Sequence, residues 1–148
     1  MKEHLYRLAS YRHENLERTG MVLEDKLIDI EKAFDAVPED PASHPISVGS
    51  NPTMMELLQK WPAVRPHLDH AANYFWEHPD ALSTSDPLEV GEVNLLSPLP
   101  NPGKIVNVGL NFYDHAREMG FTSLPEDFQP NFFSKGDSSA VIGPDQSI

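Results

Sequence analysis

The sequence predicts an α+β fold, and three observations carry that expectation. Residues 4–30 hold three short apolar runs broken by turn-forming residues, the pattern of short strands with a buried face. Residues 53–76 switch to helical spacing, with a capping residue at one helix start and a proline at the next. The 14 prolines among 148 residues then divide the chain into short elements and leave a rigid, extended approach to another apolar strand near residue 104.

In order, HLYRLASYR (residues 4–12) alternates Leu5, Arg7, Ala9 and Tyr11 with Tyr6, Leu8 and Ser10, which suits a strand with one buried face. Residues 15–20 supply turn formers, 21–23 read as the returning strand, 24–26 as a tight polar turn and 27–30 as a third strand. Together these make a small antiparallel meander. Asp29 is placed to cap a brief helix through Phe34 by accepting from orphan backbone N–H groups. Residues 38–52, with four prolines, read as a loop. Thr53 caps the next helix, Glu56 stands in capping-box position, and Met54, Leu57 and Leu58 lie at helical spacing. A second helix starts at Trp61-Pro62 and runs through Val64, Leu68, Ala71, Ala72 and Phe75.

Residues 78–92 read as a loop and mark a seam between an N-terminal domain, residues 1–92, and a second domain over 93–148. In the second, 97–103 is stiffened by proline and delivers the chain to a strand at 104–108. The strand breaks at Gly109 and turns through Asn111 into a short helical run carrying Asp114, His115 and Glu118. The tail holds two apolar patches, Phe132-Phe133 and Ala140-Val141-Ile142.

Charge narrows the function classes. With 11 Lys+Arg against 23 Asp+Glu the formal charge is −12, which argues against nucleic acid because phosphate binding needs clustered cations. No run approaches the ~20 apolar residues of a membrane span, and the first twenty residues mix both charges where a secretory signal is apolar. A soluble cytoplasmic protein is the expectation. The absence of cysteine excludes disulfides, Cys-ligated zinc and thiol nucleophiles.

Two sets of residues invite chemistry. His67 and His70 share a helix face at metal-ligand spacing, but with no third ligand indicated nearby they read as the solvated side of an amphipathic helix. The carboxylate pairs Glu14/Glu17 and Glu89/Glu92 have no second partner and read as solvated, while Met54-Met55 reads as core. His115 and Glu118 differ in setting. Three residues apart on a helix they project from one face, beyond a strand that ends in glycine, a place where loops on rigid scaffolds carry function. If Glu118 accepts from one imidazole nitrogen, it fixes the tautomer and leaves the other nitrogen to take a proton.

At this point the residues resemble a known family. LLSPLPNPGKIVNVGLNFYDHAREMG followed by QPNFFSKGDSSAVIGPDQSI, within residues 95–148, closely resembles the opening of the catalytic domain of the fumarylacetoacetate hydrolase family. The pattern is a Pro-rich approach, a K-I strand, G-x-N-[FY]-x-x-H-x-x-E, then P-x-x-F-x-K and a small-residue turn before G-P. Residues 7–34 also resemble the small N-terminal domain of longer members, whereas 35–92 match weakly.

The resemblance implies the incomplete first strands of a mixed β-roll catalytic domain, following a small N-terminal domain of short antiparallel strands and two helices. It implies a metal-dependent enzyme that acts on C–C bonds of 2-oxo acids or 1,3-dicarbonyl compounds, as hydrolase, decarboxylase or isomerase, and forms a homodimer. In family terms His115 and Glu118 match the catalytic dyad, Asn111 and Tyr113 its substrate-side neighbours, and Lys135 the F-x-K lysine. For Lys135 a structural ion pair is an equal reading. Mg²⁺, Mn²⁺ or Ca²⁺ is the implied cofactor, a hard cation suited to oxygen ligands. The family's Glu-x-Glu metal motif is absent from these residues, so no metal ligand is assigned here. The expectation is therefore the N-terminal portion of such an enzyme, inactive in isolation. The alternative is a free-standing, non-catalytic interaction domain derived from one.

Overall fold

The computed structural model describes residues 5–38, 49–123, 128–136, 141–144 and 147. It divides into two compact units, Met1–Pro100 with Ile142–Ile148, and Asn101–Val141. Helices and antiparallel strands are mixed, so the chain is α+β.

The first unit is built on a five-stranded antiparallel sheet. Its strands are β1 (Arg7–His13), β2 (Leu16–Leu23), β3 (Lys26–Asp29), β4 (Leu88–Glu89) and β5 (Asn94–Leu95), in the order β4-β3-β2-β1-β5. Glu14 and Asn15, at φ of 49° and 65°, form a two-residue turn, and His13 pairs with Leu16 across it. Two positive φ values give the primed turn whose twist matches paired strands, so 16–20 belong to the ladder rather than to the turn expected over 15–20. The third strand ends at Asp29, because Asp29 caps α1 (Ile30–Asp35) through a 3.0 Å bond from the Glu31 N–H.

Both sheet faces are covered. Leu8, Met21, Leu23 and Ile28 face the helices α1, α2 (Met54–Gln59) and α3 (Trp61–Glu77), where Leu57, Val64, Leu68 and Phe75 close the larger core. Each such Leu or Phe contributes roughly 1.5–3 kcal/mol by leaving water. On the other face Tyr11, Val22 and Leu27 meet Leu88, Val90, Val93 and Leu95. The single buried face expected for β1 is thus two, as the adjacent buried pair Ser10 and Tyr11 shows. Residues 78–92 are correspondingly not a plain loop. They hold α4 (Pro79–Thr84), β4 and a 3-10 turn over Val90–Glu92, because Ala81 and Leu82 find apolar cover on the first core and Leu88 on the second. Within this unit Gly143 packs so closely that an added Cβ would stand 2.7 Å from the Leu95 carbonyl oxygen and 3.1 Å from the Leu96 Cα, which restricts the position to glycine.

The capping box forms as expected. The Thr53 Oγ accepts from the Glu56 N–H at 3.3 Å and the Glu56 carboxylate accepts from the Thr53 N–H at 2.8 Å. These bonds hold the Glu56 carboxyl below its ordinary range, the backbone bond from Thr53 first. Thr53→Ala is expected to destabilise α2 and the first unit by about 1 kcal/mol, read as a lower urea midpoint at unchanged slope.

Several surface readings are corrected. Met54 is core, but Met55 is exposed. Glu17 pairs with Arg12 at 2.9 Å and Glu89 with Lys26, so these two carboxylates have basic partners. His67 and His70 are half-buried rather than solvated. His67 stands edge-on to Phe34 at 6.4 Å, and the His70 Nε2 is enclosed without a hydrogen-bond partner among the described residues.

The second unit contains a two-stranded antiparallel ladder, β6 (Val106–Gly109) with β7 (Asn131–Ser134), and the helix α5 (Tyr113–Glu118). The strand expected over 104–108 is displaced toward Gly109, whose partner in the ladder is Asn131. Residues 137–140, including Ala140 of the expected second apolar patch, lie outside the described residues.

Candidate functional site

α5 emerges from β6 through Leu110, Asn111 and Phe112. The first helical bond runs from the Ala116 N–H to the Phe112 carbonyl at 3.1 Å, and no side chain caps the N-terminus. The other end is closed more completely. The Phe121 N–H donates to the Ala116 carbonyl and the Gly120 N–H to the Arg117 carbonyl, both at 2.9 Å, with Gly120 at φ 88°. This paired closure around a left-handed glycine satisfies carbonyls that a helix end otherwise leaves open. Ala116 is the one buried residue of the helix.

The remaining α5 side chains face solvent. The His115 Nδ1 lies 3.7 Å from the Glu118 Oε2, with the two side chains 53% and 79% exposed. That separation is an ion-pair distance, longer than a hydrogen bond, and catalytic contacts commonly tighten only when substrate binds. An exposed pair of this kind contributes about 0–1 kcal/mol, so stability does not account for its position. A second pair, Asp114 with Arg117 at 3.6 Å, occupies the neighbouring face.

Asn111 and Tyr113 flank the start of α5 and are exposed. Lys135 is not brought to the same end of the ladder. Its N–H donates to the Ile105 carbonyl at 3.1 Å, while Gly109, which leads to α5, lies opposite Asn131 at the other end. Four residues of strand separate those ends, about 13 Å at the usual rise per residue.

One ladder face is apolar and uncovered, with Val106 59%, Val108 39% and Phe132 72% exposed. Among the described residues no three His, Asp or Glu side chains converge on a point where an ion would sit. The described residues therefore do not by themselves supply a ligand set for the Mg²⁺ that the resemblance implies. Among the same residues no helix is long and apolar enough to cross a membrane.

Elsewhere, an open groove of about 760 Å³ lies in the first unit, lined by Tyr6, Leu8, Met54, Trp61 and Asp69 among others. The Tyr6 hydroxyl donates to Asp69 at 2.8 Å, and burial followed by that carboxylate raises the phenol pKa. Periodicity offered no signal for this groove, since its walls come from elements far apart in the chain.

The second unit thus presents a solvent-facing imidazole–carboxylate pair on a short helix beyond a strand. Comparison with known proteins supplies the kinship. The chain is 30% identical over 135 residues to a fumarylacetoacetate hydrolase domain-containing protein 2 homolog of Dictyostelium discoideum, a match covering 91% of this chain and 36% of that protein. It is 42% identical over 69 residues to a mitochondrial oxaloacetate tautomerase of Bos taurus, covering 46% of this chain and 21% of the relative. A mitochondrial oxaloacetate tautomerase of Xenopus laevis matches at 36% over 61 residues, 41% of this chain and 18% of the relative. No family model matches. The chain is thus similar to part of proteins named for the fumarylacetoacetate hydrolase domain and spans only about a third or less of these relatives.

Proposed function

We propose that this chain supplies the proton-transferring helix of an enzyme that interconverts keto and enol forms of a 2-oxo acid or related 1,3-dicarbonyl compound. The observation that carries the reading is the His115–Glu118 pair at 3.7 Å on a helix that needs neither residue for its packing. The names of the bovine and Xenopus relatives, oxaloacetate tautomerases, favour the isomerase branch over C–C bond hydrolysis or decarboxylation.

In the proposed step the His115 imidazole removes a proton from the carbon beside the carbonyl. The C–H electron pair forms the carbon–carbon double bond, and the carbonyl oxygen takes up the proton, so no atom is gained or lost. Glu118 orients the ring and favours the imidazolium formed midway. Asn111 and Tyr113 are assigned to the substrate. For Lys135, at the far end of the ladder, substrate contact and a structural ion pair stay equal proposals.

The complete enzyme is proposed to be a cytoplasmic homodimer that binds Mg²⁺, Mn²⁺ or Ca²⁺ through groups other than those described here. Its domains are proposed as 1–92 and 93–148, the latter opening a β-roll. The mitochondrial location in two relatives' names belongs to those relatives. The test is oxaloacetate keto–enol interconversion, followed by enol absorbance with and without Mg²⁺, in the chain alone and in the full cellular polypeptide that carries these residues. Activity confined to the full polypeptide is expected, and its absence there at every metal concentration refutes the reading.

The uncovered face at Val106, Val108 and Phe132 favours a second reading, a non-catalytic interaction domain, since exposed apolar patches mark contact surfaces. That reading requires an inactive full polypeptide together with concentration-dependent association in sedimentation that Phe132→Glu abolishes.

A further inference from the structure

We propose that Leu110 is a positioning residue for the His115–Glu118 pair, because its left-handed backbone sets the direction in which α5 leaves β6. The function of the pair rests on the reading above, but the role of Leu110 does not.

Among the described residues six non-glycines have positive φ. Five are polar, Glu14, Asn15, Glu24, Asn51 and Asp86, and only Leu110, at 57°, is apolar. A leucine gains no local hydrogen bond from its side chain in this region, whereas its Cβ crowds the following carbonyl, so the conformation is imposed by the surroundings.

Those surroundings can be named. A glycine stands one residue earlier, yet Gly109 does not take the left-handed turn because the ladder holds it in register opposite Asn131. The position of a Cβ on Gly109 would lie 3.7 Å from the Asn131 carbonyl oxygen and from Phe133, ordinary contact that a side chain tolerates. The sequence therefore places its glycine where the backbone does not need it and its leucine where the backbone is strained.

The effect falls on α5 because, among the described residues, no side chain caps the N-terminal end of that helix. Phe112 provides no side-chain cap, while the far end is closed around Gly120 and only Ala116 is buried between. The path through residues 110–112 thus fixes where the imidazole and carboxylate point.

The test is NMR of the whole chain, reading the helical ¹³Cα shifts of residues 113–118 and the NOE between the His115 ring and the Glu118 side chain. Leu110→Gly and Leu110→Asn, which tolerate the left-handed region, are expected to keep both signals. Leu110→Val, β-branched and excluded from that region, is expected to lose both by about five-fold or more, with Tyr11 and Met21 resonances unmoved. Retention of both signals in Leu110→Val overturns the proposal. So does their loss in Leu110→Gly or Leu110→Asn, since the leucine side chain would then be what matters; these two variants decide the question even if the valine variant unfolds. Glu118→Gln separates the two readings. An unmoved His115 ring in that variant counts against the proton-transfer pair and leaves the Leu110 result standing.

Discussion

His115→Ala is expected to lower oxaloacetate interconversion by the full cellular polypeptide about 10²–10⁴-fold, the usual contribution of a positioned general base. The substitution should do little to folding, because the side chain is half exposed and its ion pair is a surface one. Glu118→Gln should cause a smaller loss, since the amide still orients the ring but no longer favours its charged form. The same helix contains its own control. Asp114 and Arg117 form another exposed pair at 3.6 Å, so Asp114→Ala perturbs α5 about as much without touching the proposed base. A rate near wild type in Asp114→Ala, with added imidazole restoring part of the activity of His115→Ala, is the expected outcome. Equal losses in the two variants, without rescue, would assign the effect to helix stability and remove His115 from the chemistry.

Elements governed by local rules were legible in the sequence. The Thr53–Glu56 box, the Asp29 cap and the 3.6-residue spacing of Val64, Leu68, Ala71 and Phe75 all depend on neighbours within a few positions, and the structure forms each of them. Long-range partners were harder to read. Residues 78–92 look like loop because their apolar residues are short of any period, yet Leu88 pairs opposite Leu27, sixty-one positions away, and completes a second core. Similarly, the alternation in residues 4–12 identifies a strand but cannot say that both faces will be covered, which depends on β4 and β5 returning. At the candidate site, helical spacing brought His115 and Glu118 together on paper as it does in the structure. The strained Leu110 was invisible, since a Gly-Leu pair gives the φ > 0 position to glycine unless the register of β7 is known.

Asp29→Ala is expected to destabilise the first unit by about 3–5 kcal/mol, the cost of breaking a buried ion pair from one side. Asp29 is 8% exposed and serves three donors. Its Oδ1 accepts from the Glu31 N–H at 3.0 Å, and its Oδ2 accepts from the Tyr11 hydroxyl at 3.0 Å and the Arg18 Nη1 at 3.2 Å. Without the carboxylate, Tyr11 keeps a buried hydroxyl and Arg18 a guanidinium whose Nε already has no partner among the described residues. Asp29→Asn keeps acceptors for two of these donors and should be milder. The same cluster makes stability depend on pH. Burial first, then the Asp29 charge and hydrogen bond, raise the Tyr11 pKa well above its ordinary value. The neutral phenol is therefore favoured in the fold. Its contribution is complete below about pH 10, where the unfolded phenol titrates, and fades as the pH climbs from there toward the folded value. Denaturant midpoints should fall more steeply above about pH 10 in the wild type than in Tyr11→Phe, which has no phenol to ionise at that position. Parallel slopes would show that ionisation of Tyr11 is not coupled to unfolding.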